Sequence, residues 1–205
     1  MLENLKNYRV VLASNSPRRR ELLKGLDIDF SVRTLEGIDE SFPASCHGED
    51  IPMYISNQKA KAYLPTLADD ELLITADTIV YLPSSESPEE GMVLGKPKTL
   101  EDAKRMLKLL SGKKHQVITG VSILSKTCHH IFAVTSEVVF AALTEEEIEY
   151  YAGRYKPLDK AGAYGIQEWI GYVGVTSLSG SYFNVMGLPV QRLYEELKKW
   201  PPLSI

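Results

Sequence analysis

The sequence predicts an α/β fold in which helices flank a mixed, twisted sheet. Stretches with the periodicity of strands alternate with stretches that begin and end like helices, and they include both a hairpin and strand–helix units. Such an order favours a mixed sheet over a purely parallel, doubly wound one. The chain has 205 residues, enough to bury a substantial core, and we expect a single domain over residues 1–205.

The first predicted elements are a strand and a short helix joined by a tight turn. The strand is the apolar run Val10–Leu12, and the helix extends from Pro17 to Lys24. Ser16 offers a hydroxyl N-cap, the proline ring suits the first helical turn, and Gly25 stands where a helix commonly ends. The turn therefore directs free backbone N–H groups towards one point.

Later elements follow from apolar spacing and from helix caps. We predict a weak strand at Phe30–Thr34 and a helix that begins at Glu49–Asp50 and ends at Pro65. The apolar run 72–81 is typical of a strand covered on both faces. Next we predict a surface loop at Pro83–Glu90, a return to the core at Val93–Pro97 and a helix opened by Thr99. Two strands follow, at His115–Leu124 with one face buried and at Ile131–Leu143. The last predicted elements are a helix opened by the capping box Thr144–Glu147, a glycine-rich stretch from Gly171 to Gly187 and a final helix from Pro189.

Composition excludes several classes of protein. A net charge of −4 and a pI near 5.6 argue against binding to a nucleic-acid polymer, although a local basic cluster could still hold a small anion. Cys46 and Cys128 form neither a disulfide framework nor a metal-ligand spacing. There is no apolar run long enough to span a bilayer and no apolar signal-peptide core, so we expect a cytoplasmic protein that does not bind membranes.

The turn before the first helix has the composition of an anion cradle. Ser14 supplies a hydroxyl, and Arg18 and Arg19 supply forked donors beside the positive end of the helix dipole. Cations in a first turn oppose that dipole, which makes more sense if an anion lies between them and the helix. The alternative is an ordinary solvated helix face.

Asp77 is the most informative acid because it interrupts the most apolar run of the chain. It could cap a turn or pair with a buried arginine. It could instead lie at the end of the strand, facing the cradle, and hold a divalent metal or activate water. With Glu40 from an acidic loop it would provide oxygen ligands of the kind that Mg²⁺ or Mn²⁺ prefers. Lys96 and Lys59 are candidate cations, although a lone lysine on a helix is normally a surface residue.

These residue types suggest polyanion capture beside a metal-and-carboxylate hydrolytic centre. The histidines lack zinc spacing, and the chain lacks both the Gly-Lys-Ser/Thr phosphate loop and the dinucleotide glycine fingerprint. A kinase or a motor ATPase is therefore disfavoured.

Several motifs in the same order resemble the Maf family of nucleoside triphosphate pyrophosphatases, which was first linked to septum formation. The resemblance covers about Val10 to Val190. It rests on Leu12–Arg19, Ala76–Val80, Gly95–Pro97, Leu109–Gly112, His115–Val117, Asp159–Gln167 and Gly187–Pro189.

The resemblance implies an inosine-triphosphate-pyrophosphatase-like fold with two lobes around a deep cleft. It also implies cleavage of a nucleoside triphosphate between its α and β phosphates with a divalent cation, and it suggests a homodimer. Asp77 matches the proton acceptor and Glu40 matches an active-site acid. The positions that match the phosphate-facing set are Ser14, Arg18, Arg19, Lys59 and Lys96, and those tied to substrate preference are Arg18, Thr78 and Gln167.

Gln167 points to the substrate on chemical grounds as well. Its amide offers one acceptor and one donor, which complement the ring N–H and carbonyls of uracil and thymine. Gln167 therefore resembles the dTTP/UTP subgroup rather than the 7-methyl-GTP subgroup, unless it only ties down its own loop. We expect a dTTP and UTP pyrophosphatase that could also accept modified pyrimidine nucleotides. The alternatives are a nucleotide-binding regulator of cell division with little turnover and a 7-methyl-GTP pyrophosphatase.

Overall fold

A computed structural model describes residues 1–84 and 91–203 of the chain. Most of the predicted surface loop Pro83–Glu90 lies outside these residues. The described part contains seven strands that form one sheet: β1 (Arg9–Leu12), β2 (Phe30–Val32), β3 (Glu71–Leu82), β4 (Met92–Leu94), β5 (Lys114–Leu124), β6 (His129–Phe140) and β7 (Val175–Ser179).

The sheet is mixed, as predicted. Its strands follow the order β2-β1-β3-β5-β6-β7, and β4 pairs with β3 off this path. β1 runs parallel to both β2 and β3, whereas β4 is antiparallel to β3 and β7 is antiparallel to β6. The predicted fold class, a mixed sheet with flanking helices, is confirmed.

Seven α-helices lie between or after these strands in the described residues. They are α1 (Pro17–Lys24), α2 (Asp50–Tyr63), α3 (Leu100–Leu110), α4 (Glu145–Tyr155), α5 (Trp169–Gly174), α6 (Tyr182–Met186) and α7 (Val190–Lys198), with short 3₁₀ segments at Glu3–Leu5, Leu64–Thr66 and Ala161–Ala163. None of the helices in the described residues is long and apolar enough to cross a bilayer.

The helix starts predicted from caps are confirmed at atomic detail. The Ser16 hydroxyl accepts from the N–H of Arg19, and Thr99 does the same for Asp102. Thr144 and Glu147 form a reciprocal capping box at the start of α4. Each cap satisfies backbone N–H groups that a helix start would otherwise leave unpaired.

Two expectations, about strands β5 and β6, were wrong. β5 is buried on both faces, since every residue from Val117 to Leu124 is buried. β6 ends at Phe140 rather than Leu143, because the N–H of Ala141 turns away to donate to Gly174 O at 2.7 Å. The glycine-rich stretch contains regular structure, namely β7, α6 and the end of α5.

The chain forms two compact units, each built from separate segments. Unit 1 comprises Met1–Asp77, Thr119–Val134 and the chain from Gly187 onward, and unit 2 comprises Thr78–Ile118 and Thr135–Met186. An apolar cluster that includes Val11, Ala60, Tyr63, Leu67, Leu73 and Leu124 lies in unit 1. A larger cluster of residues from α3, α4, β5 and β6 lies in unit 2. Whether 1–205 acts as one domain stays a prediction.

Candidate active site

The packing of α2 against β3 places a lysine beside Asp77. The Thr75 hydroxyl donates to Ser56 O at 2.7 Å, which joins the middle of the helix to the strand. Thr75 and Asp77 share one face of β3, whereas Ser56 and Lys59 are one turn apart on α2. The helix can approach this closely at its start because Gly120 has no side chain: a Cβ there would lie 2.3 Å from the Pro52 carbonyl carbon.

Lys59 holds two carboxylates within unit 1. Its Nζ lies 2.7 Å from Asp77 Oδ1 and 2.9 Å from Glu40 Oε1. The side chains of Lys59 and Asp77 are only 12% and 11% exposed, whereas that of Glu40 is 49% exposed. A charge pair this deeply buried is costly unless it is matched, so the lysine and Asp77 depend on each other. Lys59 is thus not the surface residue that its helical position alone would indicate.

Asp77 lies inside β3, so its predicted position at the end of the strand was wrong. β1 pairs only with the first part of the strand, up to Ile74, but β3 continues because Val80 to Leu82 pair with β4. Asp77 pairs with a buried lysine, Lys59, rather than with the buried arginine that was weighed as an alternative. Whether Asp77 also holds a metal or activates water stays a prediction. Thr78 is half-buried and, being the next residue of a regular strand, points to the opposite face.

The turn before α1, which the sequence predicts to be an anion cradle, is held by local hydrogen bonds, and its binding of an anion stays a prediction. Ser14 is buried and its hydroxyl accepts from the N–H of Ser16 at 3.2 Å, which tightens the turn before the helix. Arg18 is half-buried, and Arg20 is exposed as expected of a solvated position. Arg18 lies close enough to the Arg19 guanidinium for its charge to lower the Arg19 pKa.

Arg19 binds two backbone carbonyls. Its Nε donates to Gly187 O and its Nη1 donates to Ala76 O, both at 2.8 Å. Burial lowers the pKa of this guanidinium, and the charges of Asp77 and Glu40 partly offset that effect. Arg19 therefore joins α1 to β3 and to Gly187 within unit 1, and it lies near Asp77 and Glu40. The prediction that Arg19 faces phosphate did not include this structural role.

Unit 2 carries the other predicted residues. Lys96 is exposed and follows β4, next to Gly95, whose carbonyl accepts from Gly162 N at 3.0 Å. This bond ties the lysine loop to the 3₁₀ segment Ala161–Ala163. Gly162 is required at this point, because its φ is +67° and a Cβ would lie 2.7 Å from Val80 Cγ2.

Gln167 lies in the loop that follows this 3₁₀ segment. The residue is half-buried, and its Oε1 is buried with no hydrogen-bond partner among residues 1–84 and 91–203. A buried amide oxygen without a partner costs free energy, so a functional ligand is a natural explanation for it. The alternative is that Gln167 ties down its own loop, but its Oε1 forms no hydrogen bond with the described part of that loop.

A family model described as Maf-like protein matches residues 9–200. The chain belongs to the Maf-like family. It is 61% identical over 198 residues to a protein named dTTP/UTP pyrophosphatase from Parabacteroides distasonis, which covers 97% of this chain and 99% of that protein. A protein of the same name from Phocaeicola vulgatus is 58% identical over 199 residues, covering 97% and 100%. The resemblance predicted from the motifs is confirmed.

Similarity to solved structures is much weaker. A HAM1 protein from Coxiella burnetii is 12% identical, with a TM-score of 0.47 over 94% of this chain and 100% of that one. No conclusion about the Maf-like chain follows from a likeness of this size. The deep cleft between two lobes stays a prediction.

The acids of this Maf-like chain fit a divalent cation bound together with a substrate. Asp77 and Glu40 direct their oxygens at one ammonium, so their oxygens already converge on a cation. Within residues 1–84 and 91–203 no group of three or more His, Cys, Asp or Glu could hold a metal. Mg²⁺ commonly takes one or two carboxylates and completes its shell with waters and phosphate oxygens. The donor set therefore fits an ion that arrives with a nucleotide.

Sequence reasoning missed the residues that support the Gln167 loop. Tyr151 on α4 contacts both Gly165 and Glu168, and Lys160 pairs with Glu168. Lys160 and Glu168 are charged residues on either side of the apolar, glycine-rich run Ala161–Ile166, and this pattern could have indicated their role. Tyr151 falls on the buried stripe of an amphipathic helix and carries no such signal.

Proposed function

We propose that the chain hydrolyses dTTP and UTP between the α and β phosphates and releases the nucleoside monophosphate and pyrophosphate. Relatives at 58% and 61% identity over nearly the whole chain carry the name dTTP/UTP pyrophosphatase, which supports this substrate class. The observation that carries the chemistry is the buried carboxylate of Asp77 beside the Lys59 ammonium. A protein that only binds nucleotides has no need of a buried acid there.

In this reaction a water oxygen attacks the α phosphorus while the bond from that phosphorus to the bridging oxygen breaks. The proton of the water passes to the Asp77 carboxylate, and pyrophosphate leaves with the bonding electrons. Lys59 holds Asp77 in position at 2.7 Å and adds positive charge next to the reacting groups. Glu40 holds the same ammonium at 2.9 Å.

Negative charge builds on the leaving pyrophosphate, and cations that stabilise it accelerate the reaction. Ser14, Arg18 and the N-terminus of α1 are the proposed phosphate-facing groups of unit 1, and Lys96 is that of unit 2. Arg19 contributes charge and holds the carbonyls of Ala76 and Gly187. A Mg²⁺ or Mn²⁺ ion held by Asp77 and Glu40 would polarise the phosphate oxygens when it is bound.

Base selection is assigned to Gln167, with Arg18 and Thr78 at the other positions tied to substrate preference. The unpartnered Oε1 of Gln167 can accept the ring N–H of uracil or thymine, and its amide N–H₂ can donate to an adjacent carbonyl. A glutamate could not donate to that carbonyl, which supports a pyrimidine rather than 7-methyl-GTP.

A panel of nucleoside triphosphates, including 7-methyl-GTP, tests the proposal. Each is incubated with Mg²⁺ or Mn²⁺, and pyrophosphate and orthophosphate are measured separately. We expect pyrophosphate release, fastest from dTTP and UTP. Binding without turnover would favour the alternative that the chain is a nucleotide-binding regulator of cell division. A preference for 7-methyl-GTP would favour the alternative that it is a 7-methyl-GTP pyrophosphatase.

Asp77→Asn tests the role of the carboxylate. We expect turnover to fall at least about 10²-fold, because a positioned base contributes about 10²–10⁴, while nucleotide still binds. Asp70→Asn is the matched control, since Asp70 forms an exposed ion pair with Arg9 at 2.7 Å. Wild-type rates from the Asp77 variant would remove this residue from the mechanism. The cytoplasmic location and the homodimer stay predictions.

A further inference from the structure

Gln167 lies in a tight turn whose two ends are held together. The N–H of Glu168 donates to Gly165 O at 2.9 Å, which closes a four-residue turn with Gln167 at its third position. The helix α5 starts directly after the turn, and its Gly171 lies so close that a Cβ there would be 1.8 Å from Ile166 O. The glutamine therefore projects from a backbone that has little freedom to move.

The hydroxyl of Tyr151 touches both ends of this turn. It accepts from the N–H of Gly165 at 3.0 Å and donates to Glu168 Oε2. Tyr151 is fully buried, and burial raises the pKa of its phenol, so the hydroxyl keeps its proton and remains a donor. One oxygen atom on α4 thus fixes the spacing of the turn.

Lys160 fixes the other oxygen of Glu168. Its Nζ lies 3.0 Å from Glu168 Oε1, with the two side chains only 9% and 21% exposed. Gly165 leaves the space for this pair, because a Cβ there would lie 2.9 Å from Lys160 Cε and 3.0 Å from Glu168 Cδ. Well-packed apolar residues often stabilise a fold as much as a buried ion pair does, so the pair is better explained by the position that it enforces.

We infer that Tyr151, Glu168 and Lys160 are positioning residues that set the direction of the Gln167 amide and thereby the preference for uracil and thymine. This inference rests on the proposed function. It follows from geometry: hydrogen bonds weaken steeply as their angle departs from linear, so a turn that tilts would misalign the amide against the base.

Tyr151→Phe removes one oxygen atom and keeps the ring. A misaligned amide forfeits about one hydrogen bond to the base, so we expect UTP affinity to fall about threefold to tenfold, with GTP affinity unchanged. The same loss should appear as a raised KM for UTP and dTTP with kcat retained, because the base lies away from the reacting bond. Tyr155→Phe is the matched control, because Tyr155 stacks on Tyr151 with ring centroids 5.0 Å apart.

Affinity is measured by calorimetry with non-hydrolysable α,β-methylene analogues of UTP and GTP, so this result does not depend on turnover. Hydrogen exchange of the amides of Gly165 and Glu168 is measured in parallel and should accelerate in Tyr151→Phe but not in Tyr155→Phe. Glu168→Gln provides a second variant that loses the charge pair with Lys160 and should shift selectivity in the same direction.

The outcomes separate the two proposals. Wild-type protein that prefers UTP in binding but releases no pyrophosphate would remove the proposed function and leave this inference standing. An unchanged UTP-to-GTP affinity ratio in both Tyr151→Phe and Glu168→Gln would overturn the inference while leaving hydrolysis intact. Equal losses for both nucleotides would also overturn it, since they indicate a general loss of folded protein.

Discussion

Replacing Lys59 by methionine measures what the buried ion pair contributes to stability. The Nζ–Oδ1 distance of 2.7 Å to Asp77 corresponds to a gross attraction of about 6 kcal/mol at an effective dielectric constant of about 20. Desolvation offsets much of this attraction. Removing the lysine leaves Asp77 buried without its partner, which costs about 3 kcal/mol, the lower end of the range for buried pairs because both side chains are slightly exposed.

For a chain of this size a loss of 3 kcal/mol lowers the Tm by about 6–12 °C. Calorimetry of wild type, Lys59→Met, Asp77→Asn and the double variant gives the coupling energy, which we expect to be about 2 kcal/mol. Lys114→Met is the control, since Lys114 and Glu137 are 60% and 41% exposed, and it should cost less than about 1 kcal/mol. Additive losses in the cycle, or a Lys59→Met shift no larger than the control, would refute the reasoning.

Three further predictions concern unit 2. Gln167→Glu should lower kcat/KM for dTTP and UTP about tenfold, because the carboxylate cannot donate to a base carbonyl; unchanged selectivity would make Gln167 structural. Gly171→Ala should lower the free energy of unfolding by at least about 2 kcal/mol, because the new Cβ would overlap Ile166 O. Gly153→Ala is the control: a Cβ there meets nothing within 4 Å, so the free energy of unfolding should rise by about 0.5–1 kcal/mol in the same denaturation assay. Burial lowers the pKa of His115 from 6.5 to about 4. The unfolded chain therefore takes up this proton first, and stability should fall by roughly 3 kcal/mol as the pH drops from 6.5 to 4, a slope that His115→Gln should flatten.

Local signals in the sequence were sufficient to predict three helix starts and to single out Asp77. Ser16, Thr99 and Thr144 each cap a helix through bonds that span only three residues, so the chain near them contains the whole explanation. Asp77 was identifiable because a charge in an apolar strand requires a partner or a role. Gln167 was singled out by the family resemblance, and the complementarity between an amide and a pyrimidine supported that prediction without reference to the fold.

Contacts between distant segments were not predictable in this way. Arg19 donates to Ala76 O and Gly187 O, which are 57 and 168 residues away, and nothing in the run Arg18–Arg20 distinguishes its side chain from those of its neighbours. Lys59 resembles any surface lysine until the bond between Thr75 and Ser56 turns its face of α2 towards β3. These assignments depend on tertiary packing, which periodicity does not encode.

The division of unit 1 into three segments has a consequence for synthesis. Asn4 donates to Leu197 O and Trp200 O at 2.9 and 2.8 Å, and Arg19 needs the carbonyl of Gly187. The segment Met1–Asp77, which carries both Asp77 and Lys59, therefore completes its packing only after the segment from Gly187 onward has left the ribosome. Unit 2, by contrast, has all of its residues by Met186. We expect Asp77 and Lys59 to reach their final packing later in synthesis than the residues of unit 2.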